Sequence, residues 1–170
     1  MPLGFLPQLP RLTALTLDCT KDACDALLAS LVRCRCITDL CLQCGFKSAH
    51  WSALFAKLSL KKLTIRRGEL ETLQCFAAGP ITQSLEELAI AGLALPPAEL
   101  SHLYGLHRLR SLALNYCFSS HLDDATLASL FPPTAQFPRL VKFRYLSDED
   151  GYDVDRQGLS FEWMQSRLTQ

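Results

Sequence analysis

The amino-acid sequence predicts an α/β fold in which helices alternate with the strands of a parallel sheet. An apolar skeleton of the form Leu-x-x-Leu-x-Leu recurs along the chain with conservative variations. Its last four positions alternate between apolar and polar residues, as in a strand that is buried on one face. Roughly ten residues with helical apolar spacing separate consecutive copies, which is enough for the crossover that parallel strands require.

The copies of this skeleton are almost evenly spaced. Their middle apolar residues run from Leu15 to Phe143 at intervals of 25, 23, 25, 24 and 31 positions. The copies themselves begin at Leu12, Ile37, Leu60, Leu85, Leu109 and Leu140. The spacing therefore predicts five near-equal units and one longer unit, each supplying one strand.

This arrangement resembles the leucine-rich repeat family, whose unit is a short strand followed by a helix or tight turn. Cysteines lie among the leucines between Leu31 and Cys44, so these repeats of about 24–25 residues are similar to the cysteine-containing subfamily. The resemblance implies a solenoid, or horseshoe, with a parallel concave sheet and convex helices. It also implies a binding scaffold, and the subfamily often forms the substrate-reading part of ubiquitin ligases.

A chain of 170 residues is long enough for one domain with a sizeable core. We expect a single leucine-rich repeat domain over 1–170, with five repeats in 12–136 and a modified last repeat with a C-terminal cap in 137–170. Residues 1–11 form an N-terminal edge without a polar cap, although a solenoid end normally needs one. Either this segment is a makeshift cap, or a partner chain or earlier repeats cover the edge.

Helical spacing of apolar residues predicts a helix in each of the five connections and one more after the last strand. Ser48 is expected to cap the second helix, and Pro97 to begin the fourth. Just past four strands we expect the apolar residues Phe46, Leu70, Leu95 and Phe118 to fold into the core. The predicted helices are Asp22–Cys34, Ser48–Leu58, Glu69–Ala78, one beginning at Pro97, Leu122–Phe131 and Gly158–Leu168.

Composition excludes several classes of function. Seventeen basic and seventeen acidic residues balance, and the pI near 6.9 argues against a nucleic-acid partner. No apolar run approaches the roughly 20 residues that span a bilayer, so no membrane partner is expected. The segment Met1–Phe5 lacks the basic and apolar regions of a secretory signal.

Six of the eight cysteines lie between Cys19 and Cys44. A reduced cysteine behaves as a small buried hydrophobe, so we expect free thiols and an intracellular, cytoplasmic protein, with one isolated disulfide as the alternative. The spacing Cys34-x-Cys36…Cys41-x-x-Cys44 suggests zinc, but zinc needs ligands that converge on one point. Cys41 and Cys44 should face opposite sides of the sheet, so we expect no metal and no cofactor.

The outward side chains of the strands are the predicted partner-binding surface. Asp39, Lys62 and Glu87 should form a ladder of alternating charge on neighbouring strands. Either these charges only offset one another, or they form a mixed-charge recognition surface in which small residues leave room for a partner. The predicted binding residues are Thr16, Asp18, Asp39, Gln43, Lys62, Thr64, Arg66, Glu87, Ala89, Ser111, Asn115, Lys142 and Arg144.

Catalytic and calcium motifs are weak. The acidic segment 148–155 lacks the glycine and glutamate positions of an EF-hand, so we expect a solvated loop. Ser119, Ser120, His121 and Asp123 are close in sequence only, whereas a catalytic triad depends on geometry. We expect a non-catalytic protein-interaction scaffold that uses its concave sheet, its N-terminal edge or both. The alternatives are a structural subunit of a larger assembly, a substrate-recognition part of a ubiquitin ligase, or a fragment of an enzyme.

Overall fold

A six-stranded parallel sheet organises the chain. The computed structural model describes residues 5–118, 137 and 139–146. Each strand pairs with the next one in the chain, from β1 at one edge to β6 at the other. The strands are β1 (Ala14–Asp18), β2 (Asp39–Gln43), β3 (Lys62–Arg66), β4 (Glu87–Ala91), β5 (Ser111–Asn115) and β6 (Lys142–Leu146). The predicted α/β class and parallel sheet are confirmed.

The strands pair in register along the whole sheet. Leu40 lies opposite Leu63, which lies opposite Leu88, and the same position holds Leu15, Leu112 and Phe143. Two residues further on, the equivalent position holds Leu17, Leu42, Ile65, Ile90, Leu114 and Tyr145. From β2 to β6 all of these side chains are buried. Because successive side chains alternate between the two faces, one face of the sheet is apolar throughout.

Helices cover this apolar face. Leu27 and Leu31 of the first helix, and Trp51 and Leu54 of the second, belong to the same buried cluster as the strand leucines. The opposite face of the sheet, called the open face below, carries the remaining strand side chains. The helices are α1 (Cys24–Leu31), α2 (Ser48–Phe55) and the single turn α3 (Ile81–Ser84), with 3-10 helices at Leu6–Gln8, Lys21–Ala23, Gln74–Phe76 and Pro97–Leu103.

Two of the predicted helices are shorter than expected, and one is wrong. α1 and α2 lie within the predicted segments Asp22–Cys34 and Ser48–Leu58. In the predicted helix Glu69–Ala78 only a 3-10 turn, Gln74–Phe76, forms, and Glu69 instead makes an extended bridge to Lys47.

The apolar spacing in this segment explains the error. Leu70, Leu73 and Phe76 are buried, whereas Ala77 is exposed. Burial every third residue is compatible both with the 3.6 residues per turn of an α-helix and with the three of a 3-10 helix, and only Gln74–Phe76 forms a turn here. The helix that begins at Pro97 starts where predicted but is also a 3-10 helix, ending at Leu103.

The N-cap of α2 is also different from the prediction. Lys47, with an extended backbone, precedes the helix, and Ser48 is its first helical residue. The Lys47 backbone N–H donates to His50 Nδ1 at 3.0 Å, so the other ring nitrogen, Nε2, is the one that donates to Asp25 at 3.0 Å. His50 therefore closes the first turn of α2 and ties it to α1.

Residues just past the strands complete the core. Phe46, Leu70, Leu95 and Phe118 are all buried, which confirms their predicted inward orientation. Phe46 begins a chain of aromatic contacts to Trp51 at 5.2 Å, to Phe55 at 5.6 Å and on to Phe76 at 4.9 Å between ring centroids. These rings join the second connection to the third, so the units are held together by the helix layer as well as by the sheet.

Gly79 and Gly92 both have positive φ angles, and only Gly79 of the two is also crowded at its Cβ position. Gly79 has φ +88°, and a Cβ there would lie 3.1 Å from the Phe55 carbonyl oxygen. Gly105 lies outside the left-handed region, and a Cβ there meets nothing within 4 Å. We expect Gly79→Ala to lower the free energy of unfolding by about 1–2 kcal/mol, and Gly105→Ala to leave it unchanged or raise it slightly. Urea denaturation measures both; equal effects would contradict this assignment.

A half-buried carboxylate links two connections on the helix side. Glu99 accepts hydrogen bonds from Thr72 Oγ1 at 2.6 Å and from the Leu73 backbone N–H at 2.8 Å. The Thr72 hydrogen bond is the main cause that lowers the pKa of Glu99, with help from Leu73 and against the effect of burial. The hydrogen bonds to ionised Glu99 therefore stabilise the fold fully when the pH is above 4.5, the ordinary pKa of a glutamate. This contribution is lost as the pH falls through the lower pKa that Glu99 has in the folded chain.

We therefore expect Glu99→Gln to cost about 1 kcal/mol at pH 7, because a neutral acceptor replaces a charged one. The difference from the wild type should shrink as the pH falls below about 4. Urea denaturation at several pH values measures it, with the exposed Glu71→Gln as the matched control. A loss that is independent of pH would show that the charge of Glu99 is not its cause.

Candidate protein-recognition surface

The open face carries three straight rows of side chains. In-register pairing places every predicted open-face residue in line with its counterpart on the next strand. The alternation within the strands leaves these positions exposed or half-buried. The rows are Ala14, Asp39, Lys62, Glu87, Ser111, Lys142; then Thr16, Cys41, Thr64, Ala89, Ala113, Arg144; then Asp18, Gln43, Arg66, Ala91, Asn115.

The first row contains the expected ladder of charge. Lys62 Nζ lies 2.8 Å from Glu87 Oε1, and the two side chains are 55% and 50% exposed. The hydrogen bond to Glu87 and its charge raise the pKa of Lys62, with smaller contributions from Asp39 and Glu86. Solvent screens such exposed pairs, so this one contributes little to stability. It places opposite charges side by side on neighbouring strands.

An open recess of about 320 Å³ lies at the beginnings of β4, β5 and β6. Three predicted residues line it, namely Glu87, Ser111 and Lys142. The remaining lining residues, Glu86, Arg110 and Val141, precede their strands by one position and were missed because the prediction considered only positions within the strands. The recess therefore combines two carboxylates, two cations and an exposed apolar side chain.

The backbone fixes the rim of this recess. The Arg110 N–H donates to the Glu86 carbonyl at 2.7 Å, and the Val141 N–H donates to the Arg110 carbonyl at 2.9 Å. The pairing of the strands thus extends one residue towards their N-terminal ends. The register of the extended ladder could have revealed these three residues from the sequence.

The other two rows combine small residues with polar ends. Ala89 and Ala113 are half-buried neighbours in the middle of the second row. In the third row, Gln43 donates to Asp18 at 3.1 Å, and Arg66 is exposed. Asn115 Oδ1 is buried and receives no hydrogen bond from the described residues. The middle of the open face is therefore shallow, with polar groups at the ends of its rows.

The β1 edge is a second surface with apolar character. Leu12, Leu15 and Leu17 are only half-buried, although their counterparts on the inner strands are buried. Phe5 and Leu9 are 53% and 44% exposed. No described residue pairs with the outer side of β1. The described part of the predicted N-terminal edge thus leaves apolar surface and strand backbone accessible to solvent.

The cysteines are all free in the described structure. The set considered for zinc is not gathered, because Cys36 is exposed, Cys41 lies on the open face and Cys34 lies beyond the end of α1. A different set is gathered. The Sγ atoms of Cys19, Cys24 and Cys44 lie within 4.8 Å of one another.

Part of this cluster was visible in the sequence. Cys19 and Cys44 each follow the last apolar residue of a strand by two positions, so register alone makes them neighbours. The Cys19 N–H donates to the Gln43 carbonyl at 3.0 Å, which continues the ladder of β1 and β2 to these two residues. The contribution of Cys24, the first residue of α1, depends on how the helix packs and was missed.

Burial controls the acidity of the cluster. It raises the pKa of Cys44 to about 12, with a further contribution from neighbouring Cys19 and an opposing hydrogen bond from the Phe46 backbone. Burial also raises the pKa of Cys24, against the effects of a hydrogen bond from Cys44 and one from the Gly45 backbone. Without a cation to replace their protons, these two thiols remain neutral near pH 7.

The remaining candidates form no arrangement with one another in the described structure. His50 is held by Lys47 and Asp25, and His102 Nε2 lies 3.7 Å from Glu99. His107 is exposed. The Ser119–Asp123 segment, the acidic segment 148–155 and the predicted helices Leu122–Phe131 and Gly158–Leu168 lie outside the described residues.

No protein-family model matches the chain, and no curated protein matches its sequence. Among the described residues, no helix combines the length and the apolar character that crossing a membrane requires. Membership in the leucine-rich repeat family therefore stays a prediction from the spacing of the leucines.

Thiol reactivity tests the placement of the cysteines. Cys36 is exposed, whereas burial raises the pKa of both Cys75 and Cys117 to about 12. We expect iodoacetamide at pH 7.5 to modify Cys36 first and Cys75 and Cys117 last, because the thiolate is the nucleophile. Peptide mass spectrometry over a time course measures the order, with the urea-unfolded chain as the control. Rapid native labelling of Cys75 would contradict the described core.

Proposed function

We propose that the protein is a non-catalytic recognition scaffold of the leucine-rich repeat type, and that it binds a partner protein on the open face of its sheet. In this proposal the repeats form a curved solenoid, and the open face is its concave side. Support comes from the spacing of the leucines together with the regular pairing of six neighbouring strands. No reaction chemistry is needed for this role.

The observation that carries the proposal is the in-register open face. Its side chains stand on strands whose opposite side is locked into the core, so their positions are fixed before binding. A preorganised surface loses less conformational entropy on association than a flexible one. Half-buried alanines in the middle of the face leave space for side chains of the partner, while charged residues surround them.

The charges indicate the chemistry of the partner. The recess at the starts of β4, β5 and β6 holds Glu86 and Glu87 beside Arg110 and Lys142. A partner segment with both acidic and basic side chains can pair with these groups, whereas a uniformly charged polymer would meet repulsion from half of them. This pattern favours a protein segment over a nucleic acid.

The β1 edge supports a second candidate, a structural subunit of a larger assembly. Its exposed apolar side chains and its strand backbone suit edge-to-edge association with another chain. In that case Phe5 and Leu9 would be buried in the assembly and the open face would contribute little. A substrate-recognition role in a ubiquitin ligase is a special case of the open-face proposal, supported only by the resemblance of the cysteine-containing repeats.

Substitutions at four alanines distinguish the open-face proposal from the assembly alternative. Ala89→Arg with Ala113→Arg places bulk and charge in the middle of the open face, whereas Ala53→Arg with Ala98→Arg makes the same change at exposed positions of the helix side. Proximity labelling with the full chain in its native cell measures the partners. We expect the open-face variant to lose at least about tenfold of the enrichment of its partners, and the helix-side variant to keep it.

The role of charge is tested by exchanging Lys62 and Glu87. The variant Lys62→Glu with Glu87→Lys keeps the ion pair and the net charge but reverses the order of charges along the row. We expect it to fold as well as the wild type and to lose partners that read this order.

The assembly alternative is tested by Phe5→Lys with Leu9→Lys. If this edge variant loses its partners while both open-face variants keep theirs, the open-face proposal is wrong. Circular dichroism and urea denaturation of each variant show whether a loss of partners is only a loss of folding.

A further inference from the structure

Three cysteines from three elements meet at one corner of the sheet. Cys19 follows β1, Cys44 follows β2, and Cys24 begins α1. Cys24 and Cys44 are buried, whereas Cys19 is half-buried at the edge. In the described residues this is the one group of three or more cysteine, histidine or carboxylate side chains whose donor atoms lie this close.

The separations suit a shared metal ion. All three sulfurs lie within 4.8 Å of one another. Around a tetrahedral zinc with Zn–S bonds near 2.3 Å, two sulfurs are about 3.8 Å apart. To bind one ion, each pair of sulfurs therefore has to approach by at most about 1 Å. Rotation about the side-chain torsions supplies a movement of this size. A disulfide would use only two of the sulfurs.

The donor set indicates the kind of ion. Three sulfurs are soft ligands, and soft thiolate sites favour zinc(II) and copper(I) over magnesium or calcium. The half-exposed side at Cys19 leaves room for water as a fourth ligand of zinc. Copper(I) is satisfied by the three sulfurs alone. Both ions share the chemistry of a filled d shell and an affinity for thiolate.

The backbone supports thiolates at this corner. Hydrogen bonds from the Gly45 and Phe46 backbone act on the sulfurs of Cys24 and Cys44 in the direction that favours the ionised form. Such N–H groups around ligating sulfurs orient the ligands and distribute their charge. The Cys24 thiol donates to the Thr20 carbonyl at 3.8 Å, a hydrogen bond that it gives up when it ionises.

We propose that Cys19, Cys24 and Cys44 bind one soft, thiophilic metal ion, zinc(II) or copper(I), that bridges β1, β2 and α1. On binding, each thiol transfers its proton to solvent and its sulfur forms a bond to the metal; no electron is transferred. The ion would join the edge strand to the inner sheet and to the first helix. This inference is independent of the partner-binding role of the open face.

The test uses the full chain, reduced, stripped of metal by chelation and kept free of oxygen. Cobalt(II) serves as the spectroscopic probe for the zinc arm, and copper(I) buffered with a chromophoric chelator serves for the other. We expect one ion per chain in at least one arm, and with cobalt an absorption band from thiolate-to-metal charge transfer. Cobalt binding that zinc(II) displaces, with loss of the band, assigns zinc(II), and binding in the copper arm alone assigns copper(I). Absence of binding in both arms would overturn the proposal.

Single variants assign the ligands. Cys44→Ser and Cys24→Ser should each weaken binding by at least about tenfold, the typical lower bound for loss of an element of the metal site. The matched controls Cys36→Ser and Cys75→Ser remove an exposed and a buried thiol outside the cluster. They should leave the affinity and the stoichiometry unchanged, and an equal loss in Cys36→Ser would overturn the assignment.

Substitution of Cys19 tests the site without disturbing the buried core. It is half-buried, so Cys19→Ser should fold, and Cys19→His replaces the sulfur with another zinc ligand. We expect the serine variant to weaken cobalt binding and the histidine variant to restore part of it with a blue-shifted band. Unchanged binding in Cys19→Ser would remove Cys19 from the site. A disulfide between two of the three cysteines in the air-oxidised chain, without metal binding in the reduced one, would replace the proposal with a redox pair.

Discussion

The inward apolar side chain of each strand packs against the same position of the next strand, and this register constrains the rest of the molecule. A slip of one residue in β3 would turn Leu63 and Ile65 out to solvent and bring Lys62, Thr64 and Arg66 into the core. Burying two unpaired cations is far more costly than any gain in pairing. The core therefore fixes the open face, and the backbone positions of its side chains do not depend on contacts between those side chains.

The same constraint explains why so much of the sheet was predictable. Alternation within a strand reports burial directly, and the interval between copies of the skeleton reports which residues become neighbours. Asp39, Lys62 and Glu87 were placed side by side from the sequence, and their register is as predicted. Phe46 and Leu95 were predicted to be buried because apolar residues recur just past the strands, where the chain turns towards the core.

The connections were less predictable because short apolar segments do not fix their own helix type. Leu70, Leu73 and Phe76 satisfy a 3-10 turn as well as an α-helix, and tertiary contacts decide between them. Here Glu99, 26 positions further along the chain, accepts a hydrogen bond from the Leu73 backbone N–H. The cysteine cluster shows the same limit: register brings Cys19 to Cys44, but only the packing of α1 adds Cys24.

The cysteine cluster and the recess lie at diagonally opposite corners of the sheet. Cys19 and Cys44 follow the C-terminal ends of β1 and β2, whereas Glu87 and Lys142 stand at the N-terminal ends of β4 and β6. At least two strand spacings, or about 10 Å, separate the nearest members, which is enough for changes at the two sites to act independently. Within the described part of the chain, the β1 corner is also where the core is least covered, since Leu15 and Leu17 are only half-buried. An ion held by β1, β2 and α1 would add cross-links where apolar burial contributes least, whereas the inward side chains of β4, β5 and β6, which carry the recess, are already buried. Packing alone secures the open face where the core beneath it is closed. The edge strand β1 has a neighbour on one side only in the described structure, so it gains most from a bond that packing does not supply.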